Sequence, residues 1–183
     1  LVDEAHATGI YGVNGSGVVE EEALSDRIDL VMGPFSKALG SFGAYLAASK
    51  QITEYLINAC RSFIYSTALP PATIASNLAS IELIREEPAR RRDLLKLAEH
   101  FRTGLKTAGF EVRGESQIVP VIIGDNTGVV EFASAMQSKG YWVLPIRPPT
   151  VPSGEARLRF SLTLNHTRDI LQDTIDEISN IRI

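Results

Sequence analysis

The chain has 183 residues and a formal net charge of −4, from 18 Lys and Arg against 22 Asp and Glu. Hydrophobic residues make up 44% and charged residues 22%, a globular mixture that excludes disorder, a collagen-like repeat and a disulfide scaffold. The slight acidity argues against a general nucleic-acid binder, no apolar run reaches the ~18 residues of a membrane span, and the single cysteine, Cys60, has no partner for an internal disulfide.

Leu1-Val2-Asp3-Glu4-Ala5-His6 reads as the end of a buried strand that runs into a functional turn. A chain that opens inside a strand, without an initiator Met, reads as the C-terminal part of a longer protein. Thr8-Gly9-Ile10-Tyr11-Gly12 and Asn14-Gly15-Ser16-Gly17 are loop signals. Residues 28–32 and 44–48 are expected as short apolar strands. Residues 50–63 are expected as one helix with Ile52, Leu56 and Ala59 on a shared face. Cys60 falls in it and is expected as a small buried residue, which fits a reducing cytoplasm. Pro70-Pro71 then opens a long helix through Ile81 and Ile84, since proline suits the first helical turn. Residues 1–87 are α/β in character.

A break near Arg85-Glu86-Glu87-Pro88 separates them from residues 88–183. There an amphipathic helix carries Leu94, Leu97 or Ala98, Phe101 and Leu105 on its apolar face and ends near Gly109. Strands are expected at 110–113 and 118–123, then a helix at 128–138 closed by Gly140. Two more strands, at 141–146 and 157–162, precede a terminal helix from about Thr167. This order describes a small α+β domain.

Three segments carry chemistry. Lys37 lies in Gly33-Pro34-Phe35-Ser36-Lys37-Ala38-Leu39-Gly40-Ser41. Lysine normally sits in water. Among small and apolar residues it is expected to be desolvated, which lowers its pKa and frees the amine for Schiff-base chemistry. The alternative is a loop lysine that reaches solvent. Asp3 and His6 stand at the C-terminal end of a strand, where ligand sites of open α/β sheets gather. An Asp there can hold a ring nitrogen protonated, and a His can hydrogen-bond a phenolate oxygen. Asp-Glu-Ala-His is also the letter pattern of a helicase ATPase box, but the chain has no Gly-x-x-x-x-Gly-Lys-Ser/Thr loop. A metal site is a further alternative, and three histidines without a clustered partner speak against it. The third segment runs from Ile146 to Arg159, where Pro148, Pro149 and Pro152 stiffen the backbone beside Arg147. A guanidinium held that way suits bidentate capture of a carboxylate. The alternative is a surface loop with solvated arginines.

Together these motifs resemble the α-oxoamine synthases, pyridoxal-phosphate enzymes of fold type I. Such enzymes condense an amino acid with an acyl thioester and lose carbon dioxide. The resemblance covers nearly the whole chain, through Asp3 to Gly9, Gly15-Ser16-Gly17, Phe35 to Gly40, Phe63 to Pro71 and Arg147 to Arg159. It implies an α/β fold: the end of a large cofactor-binding domain in residues 1–87 and a small α+β C-terminal domain in residues 88–183. It also implies a cytoplasmic homodimer with no nucleic-acid, membrane or metal partner.

Carried over by position, the resemblance implies that Lys37 carries pyridoxal 5'-phosphate as a Schiff base. Asp3 then pairs with the pyridine nitrogen and His6 with the 3-hydroxyl oxygen. Ser66 and Thr67 fall where the neighbouring subunit reaches the phosphate, and Ser36 is expected to share phosphate binding where Pro34 offers no hydroxyl. Arg147 holds the substrate carboxylate, with Arg159 the next candidate, and Thr150 touches the substrate. Arg147-Pro148-Pro149-Thr150 is most similar to the branch of the family in biotin biosynthesis. That branch joins L-alanine to a pimeloyl thioester on coenzyme A or a carrier protein. A sister synthase using glycine or serine, and a non-catalytic truncated subunit, are the alternatives. Two departures stand out. Pro34 replaces the Thr usual three residues before the lysine, which removes a hydroxyl and an N–H from the phosphate site. Gly43-Ala44-Tyr45 replaces the usual Gly-Gly-Tyr. Family members are longer, and their ring-stacking histidine and most phosphate contacts belong to a part not in these residues.

Overall fold

The computed structural model describes residues 1–181. The chain divides into two compact units, Leu1–Arg91 and a second that begins at Arg92. In the first, β1 (Val2–Asp3) pairs in parallel with β2 (Leu30–Pro34), and β2 pairs antiparallel with β3 (Ala44–Ala48). β2 starts later than expected because Ile28 and Asp29 are still leaving the 3-10 turn Ser25–Arg27. It runs on to Pro34, which sits opposite Ala44 at the end of the ladder.

The loop between β1 and β2 contains one helical turn, α1 (Val18–Glu21). Its tip is held from the other end of the unit by Arg91, whose buried guanidinium donates to the carbonyls of Val13 (2.7 Å) and Ile84 (2.5 Å). α2 (Lys50–Ala59) is capped by Ser49, whose hydroxyl accepts from the Ile52 amide. The helix expected over 50–63 is broken. Cys60 closes α2 through its N–H on Leu56, then turns out to an extended conformation (φ −76°, ψ 101°) before α3 (Arg61–Ile64). Cys60 is half-buried rather than buried, and of the expected face Ile52 and Leu56 are half-buried while Ala59 is exposed. α4 (Pro71–Glu86) opens on its proline as expected and ends before Glu87.

α5 (Pro88–Thr107) follows. Leu94, Ala98, Phe101 and Leu105 are its buried apolar positions, with Leu97 half-buried. They face a second, antiparallel sheet in the order β4-β6-β5, made of β4 (Ile118–Gly124), β5 (Leu144–Ile146) and β6 (Ala156–Ser161). On β6 the alternation buries Ala156, Leu158 and Phe160 and turns Arg157 and Arg159 to the opposite face. Phe160 meets Phe101 edge-on at 5.3 Å. Residues 110–113 form only a single bridge, Val112 to Val121, because Gly114 (φ +73°) turns the chain away. Tyr141 is not in a strand either: its N–H still closes on Met136 at the end of α6 (Asn126–Ser138), so β5 starts only at Leu144. α6 begins before Gly128 because Asp125 caps it, accepting from the Gly128 amide at 2.6 Å. α7 (Arg168–Asn180) is capped by Thr167. Trp142, the one tryptophan, is 81% exposed beside β5. No helix among the described residues is long and apolar enough to cross a membrane.

Candidate active site

β1 and β2 are parallel, so their C-terminal ends lie side by side, with Asp3 in register with Met32. Past β1, the Glu4 amide extends the ladder onto Met32 (2.7 Å), and the chain then coils, with the Ala7 and Thr8 amides both donating to the Glu4 carbonyl at 2.9 Å. That coil carries His6. Past β2, a tight loop is closed by Phe35 N–H to Gly43 O (2.9 Å), Ser41 N–H to Phe35 O (2.8 Å) and Gly40 N–H to Lys37 O (3.0 Å). Gly40 supplies the left-handed residue at φ +61°. α4 braces this loop: the Ser80 hydroxyl donates to Leu39 O (2.8 Å) and the Asn77 amide to Phe42 O (3.2 Å).

The two loops bring Lys37 Nζ to 3.2 Å from His6 Nε2. Asp3 is on the same rim, its Oδ1 accepting from the Ala5 amide at 2.8 Å, which fixes the carboxylate. An amine, an imidazole and a carboxylate thus share the ends of two parallel strands, where such sheets bind ligands. Lys37 is exposed, not desolvated. The apolar character of its surroundings belongs to Phe35 and Leu39, which are buried, while Ser36, Lys37 and Ala38 between them face out. Ser66 and Thr67 are exposed on the separate segment after α3, and the Ser66 hydroxyl is turned back onto the Ser62 carbonyl.

Arg147 and Thr150 belong to the second unit, both exposed in the loop from β5 to β6. The Thr150 amide donates to Arg147 O (3.0 Å), and the Pro148–Pro149 bond inside that turn is cis. On β6, Arg159 is half-buried, and its Nε is buried without a hydrogen-bond partner among the described residues. Arg157 instead meets the Glu155 carboxylate at 2.6 Å.

Sequence reasoning misses three features. Glu4, the second letter of Asp-Glu-Ala-His, is 2% exposed and accepts from the Val18 (3.0 Å) and Val19 (2.6 Å) amides. A carboxylate committed to the start of α1 is not the catalytic acid of an ATPase box. The Thr8 hydroxyl meets the Tyr45 hydroxyl at 2.8 Å. Gly33 makes room for that pair, because a Cβ there would lie 2.6 Å from the Tyr45 oxygen. A cavity of about 880 Å³ opens beside Thr8, Phe35 and Tyr45, but Asp3, His6 and Lys37 do not line it. Among the described residues no three His, Cys, Asp or Glu side chains are gathered as for a metal ion.

The aminotransferase class I and II family model matches residues 1–178. A protein of Halalkalibacterium halodurans provisionally named 8-amino-7-oxononanoate synthase is 47% identical over 99% of this chain and 46% of its own length. A like-named protein of Geobacillus kaustophilus is 46% identical over 98% of the chain and 46% of its own. The serine palmitoyltransferase of Sphingomonas wittichii superposes with a TM-score of 0.92 at 30% identity, over 97% of this chain and 45% of that one. The 8-amino-7-oxononanoate synthase of Francisella tularensis gives 0.87 at 29%, over 97% and 53%. The fold is that of fold type I pyridoxal-phosphate-dependent transferases. The chain spans about half the length of the curated relatives it matches.

Proposed function

The chain belongs to the aminotransferase class I and II family, and on that premise we propose that the complete protein is a pyridoxal-phosphate-dependent α-oxoamine synthase of biotin biosynthesis. Its substrates are L-alanine and a pimeloyl thioester, on coenzyme A or a carrier protein, and its product is 8-amino-7-oxononanoate. The observation that carries this reading is the 3.2 Å approach of Lys37 to His6 beside Asp3, in a chain 47% identical to a relative of that name.

The residues fit the cofactor because an acid, an imidazole and an amine converge at one strand-end rim. When bound, pyridoxal phosphate supplies an electron sink for negative charge at the α-carbon of the amino acid. Lys37 would hold it through the amine, and that amine would serve as the general base toward the α-proton of the amino acid. Asp3 keeps the ring nitrogen protonated, and an ionised carboxylate is the right partner for that charge. His6 holds the ring oxygen, and its reach to Lys37 Nζ keeps both groups on one ligand. Ser36 takes the phosphate from this subunit, and Ser66 and Thr67 take it across a homodimer, while Pro34 contributes no hydroxyl. Arg147 forks the carboxylate and Thr150 stands beside it. Arg159, with its unmet Nε–H, is the alternative cation for that carboxylate.

The TM-score of 0.92 to a serine palmitoyltransferase favours one second reading, a sister synthase using serine. The amino acid that shifts the visible spectrum of the cofactor distinguishes the two. The central assignment is tested by borohydride reduction of the cofactor-loaded complete protein followed by peptide mapping. The pyridoxyl label is expected on Lys37, and a label on Lys50 or Lys139 would overturn the site.

A further inference from the structure

The loop that carries Arg147 and Thr150 is fixed at one end by β5 and at the other by β6, with Ile146 in register with Arg157. Between these feet, Pro149, Thr150, Pro152, Ser153 and Gly154 are exposed, so packing holds little of it. Two turns shape it, Thr150 N–H to Arg147 O (3.0 Å) and Glu155 N–H to Pro152 O (3.1 Å). Glu155 is its last residue, and there the loop meets charge from two directions.

The Glu155 carboxylate lies 2.6 Å from Arg157 Nη2 and 3.2 Å from Arg113 Nη1. Arg157 Nε also donates to the Glu155 carbonyl at 2.9 Å. Arg113 is held in turn by Glu111, at 2.7 Å. Residues 111–113 lie along the outer side of β4, joined to it by the Val112–Val121 bridge and by Arg113 N–H to Pro120 O. The Arg113 side chain therefore crosses from beyond β4 to the foot of the loop, over the strand that separates them in the sheet. Four alternating charges, Glu111, Arg113, Glu155 and Arg157, make one chain of contacts that ends on the loop.

We propose that Glu155 is a positioning residue: held by Arg113 and Arg157, it clamps the downstream foot of the loop and so orients Arg147 and Thr150 toward the amino acid. It does not touch the substrate and acts only through the loop. The proposal rests on Arg147 as the carboxylate fork, argued above. The Arg113 guanidinium also holds the Glu155 carboxyl below its ordinary range, as expected for a group engaged in its ionised form.

The experiment uses the complete cofactor-loaded protein as parent, Glu155→Gln, Arg113→Gln, the double variant and, separately, Arg147→Ala. Two quantities are read: hydrogen exchange of the amides in residues 150–155 by mass spectrometry, and L-alanine affinity from the visible spectrum of the cofactor. Each single Gln variant is expected to speed exchange in the loop and weaken L-alanine binding about two- to fivefold, the range an exposed ion-pair network supports. The double variant should add little, because both changes break one network. Salt near 1 M should bring the parent toward the variants. Unchanged exchange in Glu155→Gln overturns the clamp, whatever Arg147→Ala does. Faster exchange with unchanged binding, where Arg147→Ala does weaken binding, overturns the positioning role. Unchanged binding in Arg147→Ala alongside faster exchange in Glu155→Gln sinks the carboxylate assignment and supports the clamp. If Glu155→Gln does not fold, Arg113→Gln, farther from the loop, carries the same test.

Discussion

Glu4 stands between Asp3 and His6 yet serves the fold rather than the rim. Its carboxylate meets the two amides that open α1, and Gly17, at φ +130°, lets it come that close, since a Cβ there would lie 2.5 Å from the Glu4 carboxyl carbon. Replacing Glu4 by Ala leaves the buried Val19 N–H and the part-buried Val18 N–H without their carboxylate partner. The expected cost is about 2 kcal/mol, within the range for unmet buried donors, read as a lowered urea midpoint at unchanged slope. Glu4→Gln should cost less, because its amide oxygen can still accept one of the two bonds. Asp3, His6 and Lys37 are legible in the sequence because each belongs to a short motif whose meaning is local. Glu4 is not, since its role depends on Val18 and Val19 in a turn beyond two glycine-rich loops. The same holds for Tyr45, whose partner Thr8 is distant in sequence, and for Gly33, whose missing side chain matters only once those two hydroxyls meet. The exposure of Lys37 shows the converse. Local apolar letters report the burial of Phe35 and Leu39, not that of the lysine between them.

At the level of elements, legibility follows the strength of the local signal. β3, α4, α5 and α7 lie where periodicity, an opening proline or a Thr cap places them. The segments 110–113 and 141–146 shrink because a strand needs a neighbour, and pairing is decided elsewhere in the sheet. The break at Cys60 has no proline or glycine to announce it. Charge across elements is equally hidden, as in the contact of Arg113 with Glu155. That contact has a pH signature. Hydrogen bonding from Arg113 comes first in lowering the Glu155 carboxyl, burial opposes it, and Arg157 adds to the lowering. A carboxyl whose folded pKa lies below the ~4.3 of free Glu stabilises fully above that value, and the effect is lost as pH falls through the folded pKa. The melting temperature of Glu155→Gln is therefore expected to lie below that of the parent by a constant amount near neutrality, with the gap closing in acid. A gap that stays the same size as the pH falls through the acid range would contradict the assignment.

Across the whole molecule, apolar exposure is uneven. The first unit leaves Tyr55, Phe63 and Tyr65 open along α2 and α3 and beyond them, Tyr65 at 80%, together with Phe42 beside the lysine loop. The second unit buries its own core, with Phe101, Leu105, Val119, Met136, Leu158 and Ile178 closed to solvent. Large apolar side chains exposed in such number on one unit ordinarily meet a partner. Residues 1–183 expressed alone are expected to bind an environment-sensitive dye and to self-associate, read by fluorescence and light scattering. A monodisperse, dye-silent chain would contradict this. The placement of Trp142 has an optical consequence. An indole already surrounded by water emits much as it does in an unfolded chain, so its fluorescence is a weak gauge of folding. The same openness makes it a clean gauge of coverage: a blue shift, or protection from acrylamide, would mark the moment another surface closes over the edge of β5.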